Sequence, residues 1–325
     1  MNVETVGILD TSVATENTGD HIIMESSLRE LREMLLPRRV MRFPTHEKMS
    51  STSYVLQKNI DINIACGTNL LHSHMGLIKQ WNVGFYDALK LKPVVLLGVG
   101  WRSQQKRKTD IYTKWLLKRL LSESYNHSVR DSYAEKQLKN IGIKNVLNTG
   151  CPTIWCLNHE HCEKIPTRKG RNAVMVLTDY SKNVELDSEL AEMVISNYEK
   201  VYYWCQGTKD YEYIKQLGIM NNVIMIPPSL LAYHEFLGDE SISLDYVGTR
   251  LHGGICALQY KRRAVIIGVD HRANMKGQDF NLPVLDRYVD SRKISRMITE
   301  NFETRVNLPV EKIQHWKAQF TCRSQ

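Results

Sequence analysis

Arg250-Leu251-His252-Gly253-Gly254 places an arginine, a histidine and two glycines in one short run, a set that can hold an anion and move a proton. Arg250 carries a planar fork of donors matched to a carboxylate or phosphate. His252 exchanges a proton near neutral pH. Gly253 and Gly254 admit a ligand close to the backbone, and Leu251 sits in the same turn. The residues before Arg250 read as a strand and those from about 252 onward as a helix. First-turn N–H groups and the helix dipole would therefore favour a bound anion. The plain alternative is that Arg250 pairs with a nearby carboxylate and His252 only caps the helix.

Other polar groups follow strands in the same way. Ser128-Val129-Arg130-Asp131-Ser132 puts Arg130 where a strand hands over to a helix, with Asp131 or Ser132 as its cap. Asn17-Thr18-Gly19-Asp20 follows the first strand, where turn and capping residues are the ordinary expectation and ligand contact the functional one. Cys66-Gly67-Thr68-Asn69 and Gly98-Val99-Gly100 end two further strands. The latter has neither the third glycine nor the acidic partner of a dinucleotide fingerprint.

The positioning elements alternate. Strands are predicted at 5–9, 60–65, 93–97, 127–130 and 144–147. Helices are predicted from Met24 to Leu35, closed by Pro37, and over 112–121 and 132–140. The polar stretch 157–171 breaks the pattern, which then resumes. Strands fall at 173–177, 201–205, 223–226, 244–247 and 264–268, with helices at 186–198, 211–217 and from 252. The last thirty or so residues read as helix interrupted by Pro309. Such alternation in two blocks predicts an α/β protein with two Rossmann-like parallel-sheet domains facing a cleft. The N-terminal domain spans 1–160; the C-terminal domain spans 161–325 and includes the last helices.

Bulk properties fit an enzyme of ordinary composition. The chain has 325 residues, 42% hydrophobic and 24% charged, with a net charge of +8. No stretch approaches the ~20 apolar residues of a membrane span, and the start does not read as a signal peptide, so a cytoplasmic protein is expected. The seven cysteines suit reduced thiols. The cluster Cys151, Cys156, His159, His161 and Cys162 lacks the spacing of a structural zinc site, and no metal is expected. Basic runs at Arg38-Arg39, Lys106-Arg107-Lys108, 168–171 and Lys261-Arg262-Arg263 read as solvated faces. They lack the interleaved aromatics of a single-strand groove, so small anions and lipid headgroups are favoured over nucleic acid. Salt-sensitive contact with an anionic membrane through Arg38-Arg39 or 106–108 is an expectation of that charge.

Read together, Asn17-Thr18-Gly19-Asp20, Gly67-Thr68-Asn69, Ser128-Val129-Arg130-Asp131-Ser132, Gly150-Cys151-Pro152-Thr153 and Gly248-Thr249-Arg250-Leu251-His252-Gly253 resemble the polysaccharide pyruvyl transferase family. The stretches span residues 17–254. Cys66 departs from the family, where glycine is frequent. The resemblance implies a GT-B-like architecture with the acceptor on the N-terminal side and the donor on the C-terminal side. It also implies transfer of a pyruvyl group from phosphoenolpyruvate onto a hexose of a surface polysaccharide or its lipid-linked precursor, forming a ketal and releasing phosphate, with no further cofactor. By the same resemblance Arg130, Arg250 and His252 fall on donor-site positions. Asn17, Gly19, Leu251, Gly253 and Asn69 are expected to line the substrates. The chemistry needs an acid for the methylene carbon, for which His252 is the candidate, and a base for the hydroxyl, for which Asp20 is the candidate. Two rivals are a nucleotide-sugar glycosyltransferase of the same architecture and a non-catalytic anion-binding protein of a polysaccharide assembly complex. Glu303 and Glu311 have the spacing of the glycosyltransferase's paired glutamates, but Pro309 lies between them. The sequence does not specify an oligomeric state.

Overall fold

Apolar runs without alternation predict strands covered on both faces, which is the habit of parallel sheets. The computed structural model, which describes residues 4–102 and 108–320, contains them. In the first half the strands are β1 (Thr5–Asp10), β2 (Arg39–Pro44), β3 (Ile62–Cys66), β4 (Val94–Leu97), β5 (His127–Val129) and β6 (Val146–Asn148). In the second they are β7 (Asn172–Val176), β8 (Lys200–Trp204), β9 (Ile224–Ile226), β10 (Leu244–Gly248), β11 (Arg263–Gly268) and β12 (Val284–Asp286). Every ladder between them is parallel.

The chain divides into two compact units. One comprises Met1–Thr15, Ile23–Pro152 and Pro309–Gln325; the other comprises Glu16–Ile22 and Thr153–Leu308. The composition change puts the division at 160, whereas here it falls after Pro152, and the last helix belongs with the first unit rather than the second. The reason lies in that helix, Val310–Ala318. Its Trp316 is fully buried, Lys317 pairs with Glu30 at 2.6 Å, and Gln319 accepts the Asn126 N–H at 2.7 Å. A chain that returns to its first sheet leaves no mark in composition.

The first unit holds a sheet of order β2-β1-β3-β4 and the pair β5-β6. Arg130 N donates to Val99 O at 3.2 Å and Val99 bridges Val129 in parallel, so β5 continues alongside the end of β4. The core runs from Leu9, Ala65 and Leu96 to Leu116, Leu138 and Val146. The second sheet has the order β12-β11-β10-β7-β8-β9. Counted within that unit alone, this is the doubly wound order 3-2-1-4-5-6, read from the opposite edge, with its switch point between β7 and β10. Its core gathers Met175, Leu190, Tyr203, Val247, Val265 and Ile298.

One reading of the basic runs is corrected. Arg263 is not on a solvated face: it is fully buried, with Nη1 on Asp245 at 2.6 Å and Nη2 on the carbonyls of Met297, Ile298 and Glu300. Arg262 likewise donates to the carbonyls of Leu237, Asp239 and Ile242. Both satisfy carbonyls at or just past a helix C-terminus, that of Leu230–Gly238 for Arg262 and that of Ser291–Thr299 for Arg263.

Candidate active site

The switch point of the second sheet gathers most of the residues expected there. β10 ends at Gly248, packed so closely on β7 that a Cβ would stand 2.3 Å from Val176 O. Thr249 continues the pairing through its N–H to Val176 O, and its hydroxyl accepts the Thr178 N–H, both at 2.8 Å. Arg250 then caps the helix Leu251–Gln259 with extended backbone and no side-chain cap bond. The helix start is braced from behind. Tyr246 Oη donates to Arg250 O at 2.6 Å, and Tyr233 Oη donates to Gly253 O at 3.0 Å. Tyr233 in turn stacks on Trp204 with ring centroids 3.9 Å apart.

Arg250 is committed to carboxylates. Its Nε donates to Asp210 Oδ2 at 3.1 Å, and Nη2 reaches both Asp210 Oδ1 and Asp179 Oδ1, the latter at 2.8 Å. The Tyr180 ring lies 5.2 Å from its guanidinium carbon. Asp210 is fully buried and also accepts the backbone N–H groups of Asp179, Gln206 and Gly207. Burial lifts its carboxyl above the ordinary range, and the Arg250 guanidinium opposes that. The simpler alternative for Arg250, a structural ion pair, is therefore what the geometry displays. Its fork organises the loop after β8 and the turn after β7.

That loop supplies a residue that motif reasoning passed over. Gln206 takes the Thr18 N–H on its carbonyl and donates Nε2 to Asn17 Oδ1, both at 2.9 Å. Asn17 Oδ1 also accepts the Gly19 N–H at 3.1 Å, and Asn17 O accepts the Asp20 N–H at 2.9 Å. A Cβ on Gly19 would come within 2.7 Å of Gln206 Nε2, and one on Gly253 within 3.1 Å of Gln206 Oε1. Gln206 thus ties the first turn of the helix Thr18–Leu35 to the helix that carries His252. A glutamine and glycine just past a strand end were its only sequence signal. Asp20 and His252 are both buried within this unit.

Arg130 and Asn69 belong to the first unit and converge on one loop there. Gly67 and Thr68 have φ of 60° and 48°, so the chain turns sharply after β3, and Thr68 O accepts the Gly100 N–H at 2.8 Å. Arg130 lies across Gly100, where a Cβ would be 2.1 Å from its Nε. Its Nε donates to Asp131 Oδ2 at 3.0 Å. Among the described residues, Arg130 Nη2 and Asn69 Oδ1 are buried without a hydrogen-bond partner. Donor capacity to spare therefore lies with Arg130.

The strand under Arg130 is fixed by His127. Its Nδ1 accepts the Leu96 N–H at 3.3 Å and Nε2 donates to Ser122 O at 2.9 Å, a pattern only the neutral ring can make. Burial pushes its pKa down to about 4. An unfolded histidine titrates near 6.5, so this contribution is complete above that pH and is lost as pH falls towards 4. Stability should drop by on the order of 3 kcal/mol across that window. Replacing His127 with glutamine should flatten that part of a pH series of chemical melts.

The zinc candidates go elsewhere. His161 Nε2 meets Leu258 O at 2.8 Å, His159 pairs with Glu163, and the Cys162 thiol donates to Leu157 O. Glu303 pairs with Arg305, while Glu311 lies in the helix of the first unit.

Two parallel-sheet Rossmann-like units, the second doubly wound, define a GT-B-like protein. The likeness extends to solved structures. The UDP-GlcNAc 2-epimerase of Methanocaldococcus jannaschii, in complex with UDP-GlcNAc and UDP, is 11% identical over 98% of this chain and 99% of that one, with a TM-score of 0.58. S. aureus MnaA with UDP is 12% identical over 93% and 92%, with a TM-score of 0.53. At such identity the likeness concerns the fold alone. A comparison with curated proteins finds no match. The chain belongs to the polysaccharide pyruvyl transferase family, whose model matches residues 17–271. No helix among the described residues is long and apolar enough to cross a membrane.

Proposed function

We propose that the chain transfers a pyruvyl group from phosphoenolpyruvate to two hydroxyls of a hexose, in a surface polysaccharide or its lipid-linked precursor, forming a cyclic ketal and releasing phosphate. The observation that carries this reading is the position of His252, in the first turn of a helix that opens at the switch point of the second sheet. Family membership supplies the reaction class.

The reaction needs an acid, a base and a place for negative charge. His252 protonates the methylene carbon of the donor as one sugar hydroxyl adds to the neighbouring carbon. The second hydroxyl then displaces phosphate, and the ketal closes. Asp20 takes the proton of the first hydroxyl, and the proton of the second leaves with the phosphate. N–H groups at the start of the helix Leu251–Gln259 face donor charge, and Gly253 keeps that start narrow. Gln206 holds Asn17 and Gly19 beside it. Arg250 holds this frame through Asp210, and Arg130 offers an unfilled donor to an anion.

Replacing Arg130 with alanine should weaken phosphoenolpyruvate binding at least tenfold, because a hydrogen bond to a charged group is worth about 1.5–3 kcal/mol. Lysine should restore only part, since a point charge lacks the fork. Titration calorimetry reads both. Unchanged affinity in the alanine variant would remove Arg130 from the donor site.

A further inference from the structure

We infer that the first unit carries a docking face for an anionic lipid bilayer, built from the loop residues 76–79 and the helices Phe85–Lys90 and Ile111–Leu120. The face goes beyond the reaction proposed above and stands whether or not the donor is phosphoenolpyruvate.

The face is one surface. The Tyr112 ring packs on Gly76, where a Cβ would stand 3.1 Å from it, and next to Gly76 stand Leu77 and Ile78. Phe85 stacks on Trp115 with centroids 5.1 Å apart, and Tyr112 and Trp115 are 6.1 Å apart. The helix Ile111–Leu120 is divided cleanly. Thr113, Leu116, Leu117 and Leu120 are buried. Ile111, Tyr112 and Trp115 are exposed, together with Lys114, Lys118 and Arg119. Leu77 is 84% exposed and Ile111 is 85% exposed, far more than large aliphatic side chains need to be on a surface meant for water alone.

Charge selects the occupant. Lys79 and Lys90 are exposed beside the apolar groups, as are the three basic residues of the second helix. The acids of the same segments are engaged inward. Asp87 accepts the Tyr54 hydroxyl and the Gly84 N–H, and Asp110 caps its helix through the Thr113 N–H. Aliphatic tips, tryptophan and tyrosine at the flank, and lysines long enough to keep their ammonium groups at headgroup level match an anionic membrane surface. A twofold contact with a second copy would set the same lysines against each other. In the basic pair expected to face a membrane, Arg39 is exposed but Arg38 is engaged elsewhere. Arg38 is occupied by Glu4 and by the carbonyls of Met34 and Phe320. Lys106 and Arg107 lie outside the described residues.

Flotation of the full chain with phosphatidylcholine vesicles, with and without phosphatidylglycerol, tests the assignment. The protein should float with the anionic vesicles at low salt and be released at about 1 M salt, where screening reaches within a few ångströms. Leu77→Ser with Ile111→Ser should weaken flotation at least about tenfold, as should Lys114→Glu with Lys118→Glu. All four side chains point outward, so circular dichroism and melting should not change. Several results would overturn the assignment. They are no flotation of the wild-type protein, equal flotation of both double variants, and a wild-type dimer in sedimentation that the serine variant dissociates. The last would make the face a subunit interface. Binding of duplex DNA in place of vesicles would also overturn it.

Discussion

Replacing Arg250 with alanine should cost about 3–5 kcal/mol of stability, the usual penalty for stripping one partner from a buried ion pair. Asp210 would be left fully buried with only backbone N–H donors, and Asp179 would lose its guanidinium partner. Asp210 already sits above the ordinary carboxyl range, and losing Arg250 drives it further up. A carboxyl raised in the folded state favours folding only while protonated. The deficit of the variant should therefore widen as pH rises from about 4. Denaturant melts at several pH values measure this. Adding Asp210→Asn to the alanine variant should recover part of the loss, because the neutral amide needs no counter-charge. A variant that melts like wild type but loses phosphoenolpyruvate affinity would return Arg250 to direct donor binding.

Replacing His252 with glutamine should leave the fold standing and lower turnover by about 10²–10⁴-fold, the range for removing a general acid. The helix start is held by Tyr246, Tyr233 and the packing of Gly254 on Ile266, none of which involves the imidazole. Donor affinity should fall much less than turnover, because the helix N–H groups remain. Single-turnover kinetics beside calorimetry separate the two quantities. A folded glutamine variant with near-normal turnover would transfer the acid role, and Asp20 would be the residue to replace next.

The two arginines illustrate how far a sequence can be read. Each stands at the carboxyl end of a strand, each is buried, and both carry the family resemblance. What separates them is the partners. Those of Arg250 lie 40 and 71 residues away along the chain, whereas Asp131 is adjacent to Arg130. No local pattern announces Asp210 as the acid that will meet Arg250, because the meeting is created by the strand order β10-β7-β8. Buried strands were legible for the opposite reason: Val94–Leu97 is apolar on both faces and needs no partner to be recognised, and Ile62–Cys66 departs from that only at Asn63. The edge strand Arg39–Pro44, half exposed and opening on a basic residue, escaped for want of that signal. The same holds for Gln206, whose importance comes from touching Asn17, 189 positions earlier.

The most direct test is the reaction itself, run in heavy water. The purified chain is incubated with phosphoenolpyruvate and a panel of lipid-linked or synthetic glycans, and products are read by mass spectrometry and proton NMR. The account predicts an acceptor that gains one ketal-linked pyruvyl group, one phosphate released for each, and a methyl carrying one deuterium from an exchangeable acid. Transfer or hydrolysis of a nucleotide sugar by the same preparation, with no pyruvyl gain on any acceptor, would contradict it.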